Sequence, residues 1–221
     1  MHHLDLIATH WDRTLFLEIN HGLKNPFLDI YFSKTTNLGL GGVQACIVLL
    51  IAIALGAIKR EIHFAGFWKS LWLTIYRRRE WVSPLLVCFI IGGLAADTIK
   101  EFVSRQRPWW FYHNQHLAGK FLNVIVYRVP GMPVLKVYGF PSGHATTSFA
   151  MATVATMLFH RTNKTVVALL WFAAFSIGLS RIYLAYHWPL DVLGGAILGV
   201  VSAFISMKIC RNYSLKRNAT P

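Results

Sequence analysis

Residues 38–58 read LGLGGVQACIVLLIAIALGAI, an almost uninterrupted apolar stretch that ends at Lys59 and Arg60. A helix needs about 20 apolar residues to cross the hydrocarbon core of a membrane, and this stretch is long enough. Within a bilayer a helix also satisfies its own backbone polar groups. The stretch therefore predicts a transmembrane helix, and it places the chain among the membrane proteins.

The composition of the whole chain agrees with this class. Of the 221 residues, 55% are hydrophobic and 14% are charged, whereas a soluble domain carries about a quarter charged residues. A net charge of +13 would suggest nucleic-acid binding in a soluble chain. In a membrane protein it reflects Lys and Arg collected beside anionic lipids. We therefore expect membrane lipids as neighbours and no nucleic acid, and the oligomeric state stays open.

Four further apolar segments follow the first, at residues 81–102, 144–159, 166–184 and 189–209. Together they predict an all-α, polytopic transmembrane helical bundle that forms a single domain over residues 1–221. Gly195 and Gly199 in the last segment have a small-xxx-small spacing that favours close contact between helices. Residues 4–32 mix apolar and charged positions, so we predict that residues 1–37 form an interfacial N-terminal segment, with a sixth span as the alternative.

The connecting segments indicate how the chain is oriented. Residues 61–80 place aromatic residues and leucines on one side and basic residues at the end, which predicts an amphipathic segment at the cytoplasmic surface. Lys and Arg are denser in the short loops on this side, as the positive-inside rule requires of the cytoplasm. Residues 103–140 are then an extracytoplasmic loop, and the predicted location is the inner (cytoplasmic) membrane.

Unusual polar residues collect at the ends of four predicted spans, all at the extracytoplasmic edge. They are Lys100, Arg107, Ser142, Gly143, His144, Arg181, His187 and Asp191. Ionisable side chains at such a depth are costly and are therefore functional candidates. Their position at one edge predicts a single site.

The residue types of five of these positions fit an anionic phosphoryl group. Lys100, Arg107 and Arg181 supply cations, and a guanidinium pairs with two phosphate oxygens at once. Ser142 adds a hydroxyl group. Gly143 lets backbone N–H groups approach an anion at the start of a helix.

The two histidines are candidates for catalysis. His187 and Asp191 are four residues apart, which places them on one face of a helix. Asp191 can then accept a hydrogen bond from one ring nitrogen and leave the other free as a nucleophile. His144 remains as a general acid. No ligand cluster typical of a metal cage is present in the sequence, so we expect neither a metal nor a cofactor.

Several charged neighbours receive plainer interpretations. Arg105 is interpreted as an ordinary cation of the membrane interface, and Asp97 and Glu101 as residues that balance Lys100 or a nearby arginine. The aromatic residues 109–112 are interpreted as interface anchors. For the loop cations Lys120, Arg128 and Lys136, contact with a second phosphate and a plain solvated loop both remain open.

The motifs KEFVSRQRP at residues 100–108, PSGH at 141–144 and SRIYLAYHWPLD at 180–191 match the pattern KxxxxxxRP, PSGH and SRxxxxxHxxxD. This pattern resembles the three-part signature of the type 2 phosphatidic acid phosphatase (PAP2) superfamily, which also contains the vanadium haloperoxidases. The likeness covers roughly residues 81–209. The membrane spans make the chain similar to the bacterial lipid-phosphatase branch.

The resemblance implies a metal-independent lipid phosphatase. His187 would attack phosphorus to form a phosphohistidine, Asp191 would orient His187, and His144 would protonate the leaving oxygen. The phosphoryl oxygens would be held by Lys100, Arg107, Ser142, Gly143 and Arg181.

Similar proteins suggest four candidate substrates: undecaprenyl pyrophosphate, phosphatidylglycerophosphate, phosphatidate and the 1-phosphate of lipid A. A lipid-to-lipid phosphotransferase would use the same residues and is one alternative. A non-catalytic transporter or scaffold for anionic lipids is the other. Transporters often show inverted repeats and broken helices near the midplane, and this sequence shows polar residues at one edge instead.

Overall fold

The structure is a computed structural model that describes residues 10–59, 61–62, 66–117, 119, 126–133 and 138–218, with side chains described as far as residue 212. Within these ranges the chain forms α-helices and one 3₁₀ turn, Thr36–Gly39. The helices are α1 His10–Gly22, α2 Pro26–Thr35, α3 Gly41–Ile58, α4 Phe67–Arg77, α5 Arg79–Phe102, α6 Pro108–Leu117, α7 Gly143–Phe159, α8 Lys164–Tyr183 and α9 Pro189–Asn218. The predicted all-α bundle is confirmed.

Four of the described helices, α3, α5, α8 and α9, are long and apolar enough to cross a membrane. Large apolar side chains on them point outward without a protein partner over much of their surface: Leu50, Leu94, Phe172 and Phe204. Such a surface suits contact with lipid tails. The chain is therefore a multi-pass membrane protein.

Helix α7 is the centre of the bundle. It has 17 residues, so it is about 25 Å long and is shorter than the four long helices, although the sequence predicts a span here. It packs against α5, α8 and α9, and ten of its side chains are buried, most of them Ala, Ser or Thr. Small side chains are expected where the neighbouring helices come this close.

The contact between α7 and α9 reaches the backbone. A Cβ atom added at Gly195 would lie 2.4 Å from the carbonyl oxygen of Ser142, and one added at Gly199 would lie 2.3 Å from that of Thr146. No side chain larger than hydrogen fits at either position without moving α7. The close contact predicted from the small-xxx-small spacing is confirmed.

The N-terminal helices are docked on the bundle. Helices α1 and α2 have 13 and 10 residues and are each too short to cross a membrane, so residues 10–32 do not form the alternative sixth span. The Nδ2 atom of Asn20 donates to the carbonyl oxygens of Tyr127 and Tyr183 at 3.0 and 2.8 Å. Asp29 accepts hydrogen bonds from the hydroxyls of the same two tyrosines. The interfacial location of residues 1–37 stays a prediction.

Two predicted connections contain helices. The segment predicted as amphipathic, residues 61–80, contains α4, on which Trp68 and Trp72 are largely exposed. The predicted extracytoplasmic loop, residues 103–140, contains α6 and the aromatic residues 109–112. Lys120 and Lys136 lie outside the described residues. The side of the membrane on which each connection lies stays a prediction.

Candidate active site

The end of α8 is shaped so that His187 points into the bundle. The helix stops where the backbone N–H groups of Tyr186 and His187 both reach the carbonyl oxygen of Arg181 at 3.0 Å. Ala185 has a φ of 58°, which is a left-handed conformation. This conformation is unfavourable for any residue other than glycine. This reversal lets α9 begin at Pro189, so that His187 and Asp191 come together.

One ring nitrogen of His187 contacts Arg107. The Nη1 atom of Arg107 lies 3.2 Å from Nε2 of His187 and also donates to the carbonyl oxygen of Tyr186 at 2.6 Å. A guanidinium can only donate hydrogen bonds, so Nε2 carries the lone pair and Nδ1 carries the proton. The nitrogen with nucleophilic capacity is therefore the one that faces the cation.

The environment of His187 keeps the ring neutral. Its side chain is almost fully buried. Burial first, and then the charges of Arg107, Arg181 and Lys100, hold the pKa of His187 well below its ordinary value, while the backbone of Gly139 acts in the opposite sense. Burial also lowers the pKa of Arg107 to about 10, which leaves this guanidinium charged at neutral pH. A neutral imidazole thus stands beside a permanent cation.

Asp191 contacts His187 differently from the prediction. Its Oδ2 atom lies 3.4 Å from Nδ1 of His187, longer than an ordinary hydrogen bond. The same oxygen accepts from the backbone N–H of Trp188 at 2.9 Å, and Oδ1 accepts from Arg105. Because the carboxylate is shared among three groups, it faces the ring as a nearby charge rather than as a close hydrogen-bond partner.

The other predicted cations approach the same place from α8 and α5. Arg181 is buried, donates from Nη1 to the Thr36 hydroxyl at 2.8 Å, and lies with Cζ 4.3 Å from the centre of the Tyr186 ring. The Nζ atom of Lys100 lies 2.8 Å from Oδ1 of Asp97, so the prediction that Asp97 balances Lys100 is confirmed.

The start of α7 supplies the remaining predicted residues. Ser142 caps the helix, its Oγ accepting from the N–H of Ala145 at 3.5 Å, and its own N–H donates to the carbonyl oxygen of Asp191 at 2.9 Å. Gly143 faces Lys100, because a Cβ atom there would lie 3.6 Å from Nζ. His144 is within electrostatic range of His187 and of the three cations. All eight predicted residues therefore converge at one end of the bundle.

Comparisons with known proteins agree with this arrangement. The model of the PAP2 superfamily matches residues 81–214, which include all eight positions. The chain belongs to the PAP2 superfamily. The resemblance found in the three sequence motifs is thereby confirmed.

Individual relatives are similar over much of this PAP2 chain. The lipid A 4'-phosphatase of Bacteroides thetaiotaomicron is 40% identical over 188 residues, 85% of this chain and 72% of that protein. The undecaprenyl-diphosphatase of Sulfolobus acidocaldarius is 29% identical over 140 residues, which span 63% of this chain and only 60% of that protein. The crystal structure of Aquifex aeolicus LpxE is 26% identical with a TM-score of 0.65, covering 93% of this chain and 99% of that one.

An apolar cleft leads to the candidate site of this PAP2 chain from the side of the bundle. Its volume is about 610 Å³, and it lies between the start of α3 and the middle of α5. Small and apolar residues line most of it, and Lys100, Gly143 and His144 lie at one end. A long apolar chain in this cleft would carry its head group to the cations.

One part of the site was missed by the sequence interpretation. Arg105 is 2% exposed and forms ion pairs with Asp12 and Asp191, so its interpretation as an interface cation is wrong. The one signal in the sequence is a second arginine two residues before Arg107, within the motif at residues 100–108. Asp12 could not be found this way, because 93 residues separate it from Arg105.

Proposed function

We propose that this PAP2 protein hydrolyses a lipid phosphate monoester or pyrophosphate without a metal, through a phosphohistidine at His187. One observation carries the proposal: the buried His187 presents Nε2 at 3.2 Å from Nη1 of Arg107. An apolar cleft reaches Lys100, Gly143 and His144 of the same site. A nucleophile, a cationic cradle and a place for a lipid tail thus meet at one point. Phosphoryl transfer depends mainly on such positioning and charge neutralisation.

In the first half-reaction Nε2 of His187 attacks phosphorus. The negative phosphoryl group offsets the cations that surround His144, so that this histidine takes up a proton when the substrate binds. The bond between phosphorus and the leaving oxygen then breaks, and His144 donates its proton to that oxygen. His187 keeps its proton on Nδ1, so the phosphorylated ring is positively charged. The carboxylate of Asp191, 3.4 Å from Nδ1, stabilises that charge.

In the second half-reaction a water molecule attacks the phosphohistidine. His144, now neutral, accepts a proton from this water, the P–N bond breaks, and phosphate leaves. Lys100, Arg107 and Arg181 neutralise the phosphoryl oxygens in both steps, with Ser142 and Gly143 at the start of α7. The cycle returns both histidines to their starting states.

The substrate class follows from the cleft and from the named relatives. The cleft takes an apolar chain, and relatives are named for undecaprenyl diphosphate and for lipid A. Undecaprenyl pyrophosphate, phosphatidylglycerophosphate, phosphatidate and lipid A phosphates are therefore the candidates to compare. We place the active site on the extracytoplasmic side of the inner membrane. The segment that contains α4 and the short connections at the other end of the bundle are rich in Lys and Arg, which is typical of the cytoplasmic side.

The test is phosphate release from these four lipids in one detergent, with EDTA present. Turnover is expected with at least one lipid, is expected to stop in His187→Ala, and is expected to be inhibited by vanadate. His160→Ala is the matched control, since His160 lies exposed just beyond the far end of α7. Robust turnover by His187→Ala would refute the mechanism.

The alternatives give different results in the same experiment. A phosphotransferase releases little phosphate but labels a second lipid when lipid acceptors are added. A transporter or scaffold turns over none of the four lipids, although it binds them.

A further inference from the structure

Two buried charged groups that the mechanism does not use lie next to Asp191. Asp12 of α1, Arg105 before α6 and Asp191 of α9 form a linear group in which Arg105 lies between the two carboxylates. Each of the three side chains is at most 2% exposed. Asp12 is connected through Arg105 to Asp191, and Asp191 faces His187.

We propose that Asp12 is a positioning residue that holds Arg105 and α9 so that Asp191 faces His187 with its charge available. The inference rests on the proposed function for its chemistry. It gives a role at the site to the N-terminal helix, which lies outside the residues matched by the superfamily model.

Asp12 is hydrogen-bonded both to Arg105 and to the start of α9. Oδ2 of Asp12 accepts from Nη2 of Arg105, and Oδ1 accepts from the backbone N–H of Leu190 at 2.9 Å. Leu190 is the residue before Asp191 in the first turn of α9. Asp12 therefore holds Asp191 in two ways. It binds Arg105, the partner of the Asp191 side chain, and it binds the backbone of the preceding residue, Leu190.

Asp12 also limits the positive charge that acts on Asp191. Arg105 divides its two terminal nitrogens between two carboxylates, so its charge is not concentrated on Asp191. If Asp12 were neutral, the guanidinium charge would fall on Asp191 alone, in a buried setting where such interactions are strong. Asp191 would then stabilise a positive ring on His187 less well, and the attack of Nε2 on phosphorus would slow.

Other charged and titratable groups also face His187, and the test has to leave them unchanged. They are Arg107 before α6, Arg181 on α8, Lys100 on α5 and His144 on α7, together with the backbone of Gly139. Asp12→Asn alters none of these and keeps the shape of the side chain. It is therefore the variant to use.

The matched control is Asn20→Ala on the same helix. Asn20 ties α1 to the backbone of Tyr127 and Tyr183 but has no bond to the charged group. Loss of α1 docking would affect both variants, whereas loss of the charge would affect only Asp12→Asn. Size exclusion and thermal unfolding in detergent establish the folded fraction of each.

The experiment measures kcat and KM on the fastest lipid phosphate and, separately, the tautomer of His187 by ¹⁵N-histidine NMR, assigned with His187→Ala. Asp12→Asn is expected to lower kcat by about 10- to 100-fold, the usual size for a lost orienting partner, with KM unchanged. It is also expected to reduce the population of the Nδ1–H tautomer, which is favoured by the charge of Asp191 beside Nδ1 as well as by Arg107. The double variant Asp12→Asn/Arg105→Gln, which frees Asp191 from the extra charge, is expected to regain part of kcat.

Equal kcat values for Asp12→Asn and Asn20→Ala, or an unchanged tautomer in Asp12→Asn, would overturn the inference. If Asp12→Asn does not fold, the double variant decides, and failure of both to fold contradicts a positioning role. Wild type that turns over no lipid phosphate refutes the proposed function instead, and the NMR result then decides this inference by itself.

Discussion

Replacing Gly199 by alanine tests whether α7 and α9 really pack backbone to backbone. The added Cβ atom would lie 2.3 Å from the carbonyl oxygen of Thr146 and 2.9 Å from the amide nitrogen of Ala150. Ordinary van der Waals contact begins at 3.4 Å, and both atoms belong to the backbone of a buried helix. Neither can rotate away as a side chain would, so α7 itself must move.

The size of the effect follows from two opposed contributions. Overpacking a close contact costs about 1–3 kcal/mol, whereas alanine in place of glycine gains up to about 1 kcal/mol of helix propensity. With two rigid backbone atoms in contact, the overpacking cost dominates, and we expect a net loss of roughly 1–2 kcal/mol. For a chain of this length, 1 kcal/mol lowers Tm by about 2–4 °C, so the expected decrease is roughly 2–8 °C.

The assay is thermal unfolding in one detergent, followed by intrinsic fluorescence. Gly93→Ala is the matched control, because Gly93 is a helical glycine of α5 whose Cβ would meet nothing within 4 Å. It is expected to keep or raise Tm. A Gly199→Ala variant as stable as Gly93→Ala would refute the contact between α7 and α9.

Three further predictions concern the site and its cleft. Because the pKa of His187 is held below its ordinary 6.5, its ring should stay neutral in a ¹⁵N-histidine NMR titration at pH values where free histidine is already protonated; titration together with free histidine would contradict this. Arg107→Lys removes the guanidinium beside Nε2 and should lower kcat/KM by about 100-fold or more, which is the usual cost of losing one hydrogen-bond donor to a developing charge. The control Arg211→Lys, at the far end of α9, should change kcat/KM little. Gly42→Leu should fill the cleft, since a Cβ atom at this position meets nothing within 4 Å. It should raise KM for a long-chain lipid phosphate more than for a short-chain one. An equal effect on both substrates would show that the lipid chain binds elsewhere.

The parts of the fold that the sequence predicts are those governed by local pattern. Apolar length identifies the long helices, and the ends of α3 and α5 differ from their predicted bounds by no more than three residues. The spacing of Gly195 and Gly199 predicts the packing of α9 because small residues at that interval always share one helix face. Motif spacing and span ends also predict that the eight candidate site residues come together, as they do at one end of the bundle.

The parts that were missed depend on contacts between distant segments. Nothing near Asp12 in the sequence indicates that it pairs with Arg105, and an isolated arginine at a membrane edge usually does lie at the interface. The short contact expected between His187 and Asp191 was altered by the same group, because Arg105 and the Trp188 N–H also bind that carboxylate. A helical interval of four residues predicts that two side chains share one face of the helix. It does not predict which of several possible partners a side chain binds.

The central claim is that His187 carries the phosphoryl group between lipid and water. The most direct test mixes wild-type protein with a turned-over lipid phosphate, quenches in alkali where a phosphohistidine survives, and locates the phosphoryl group by peptide mass spectrometry. We expect it on His187 in the wild type and absent in His187→Ala, with the His160→Ala control labelled like the wild type. Phosphate release that proceeds with no phosphoryl group on His187 at any quench time, or with the group on another residue, would contradict the account.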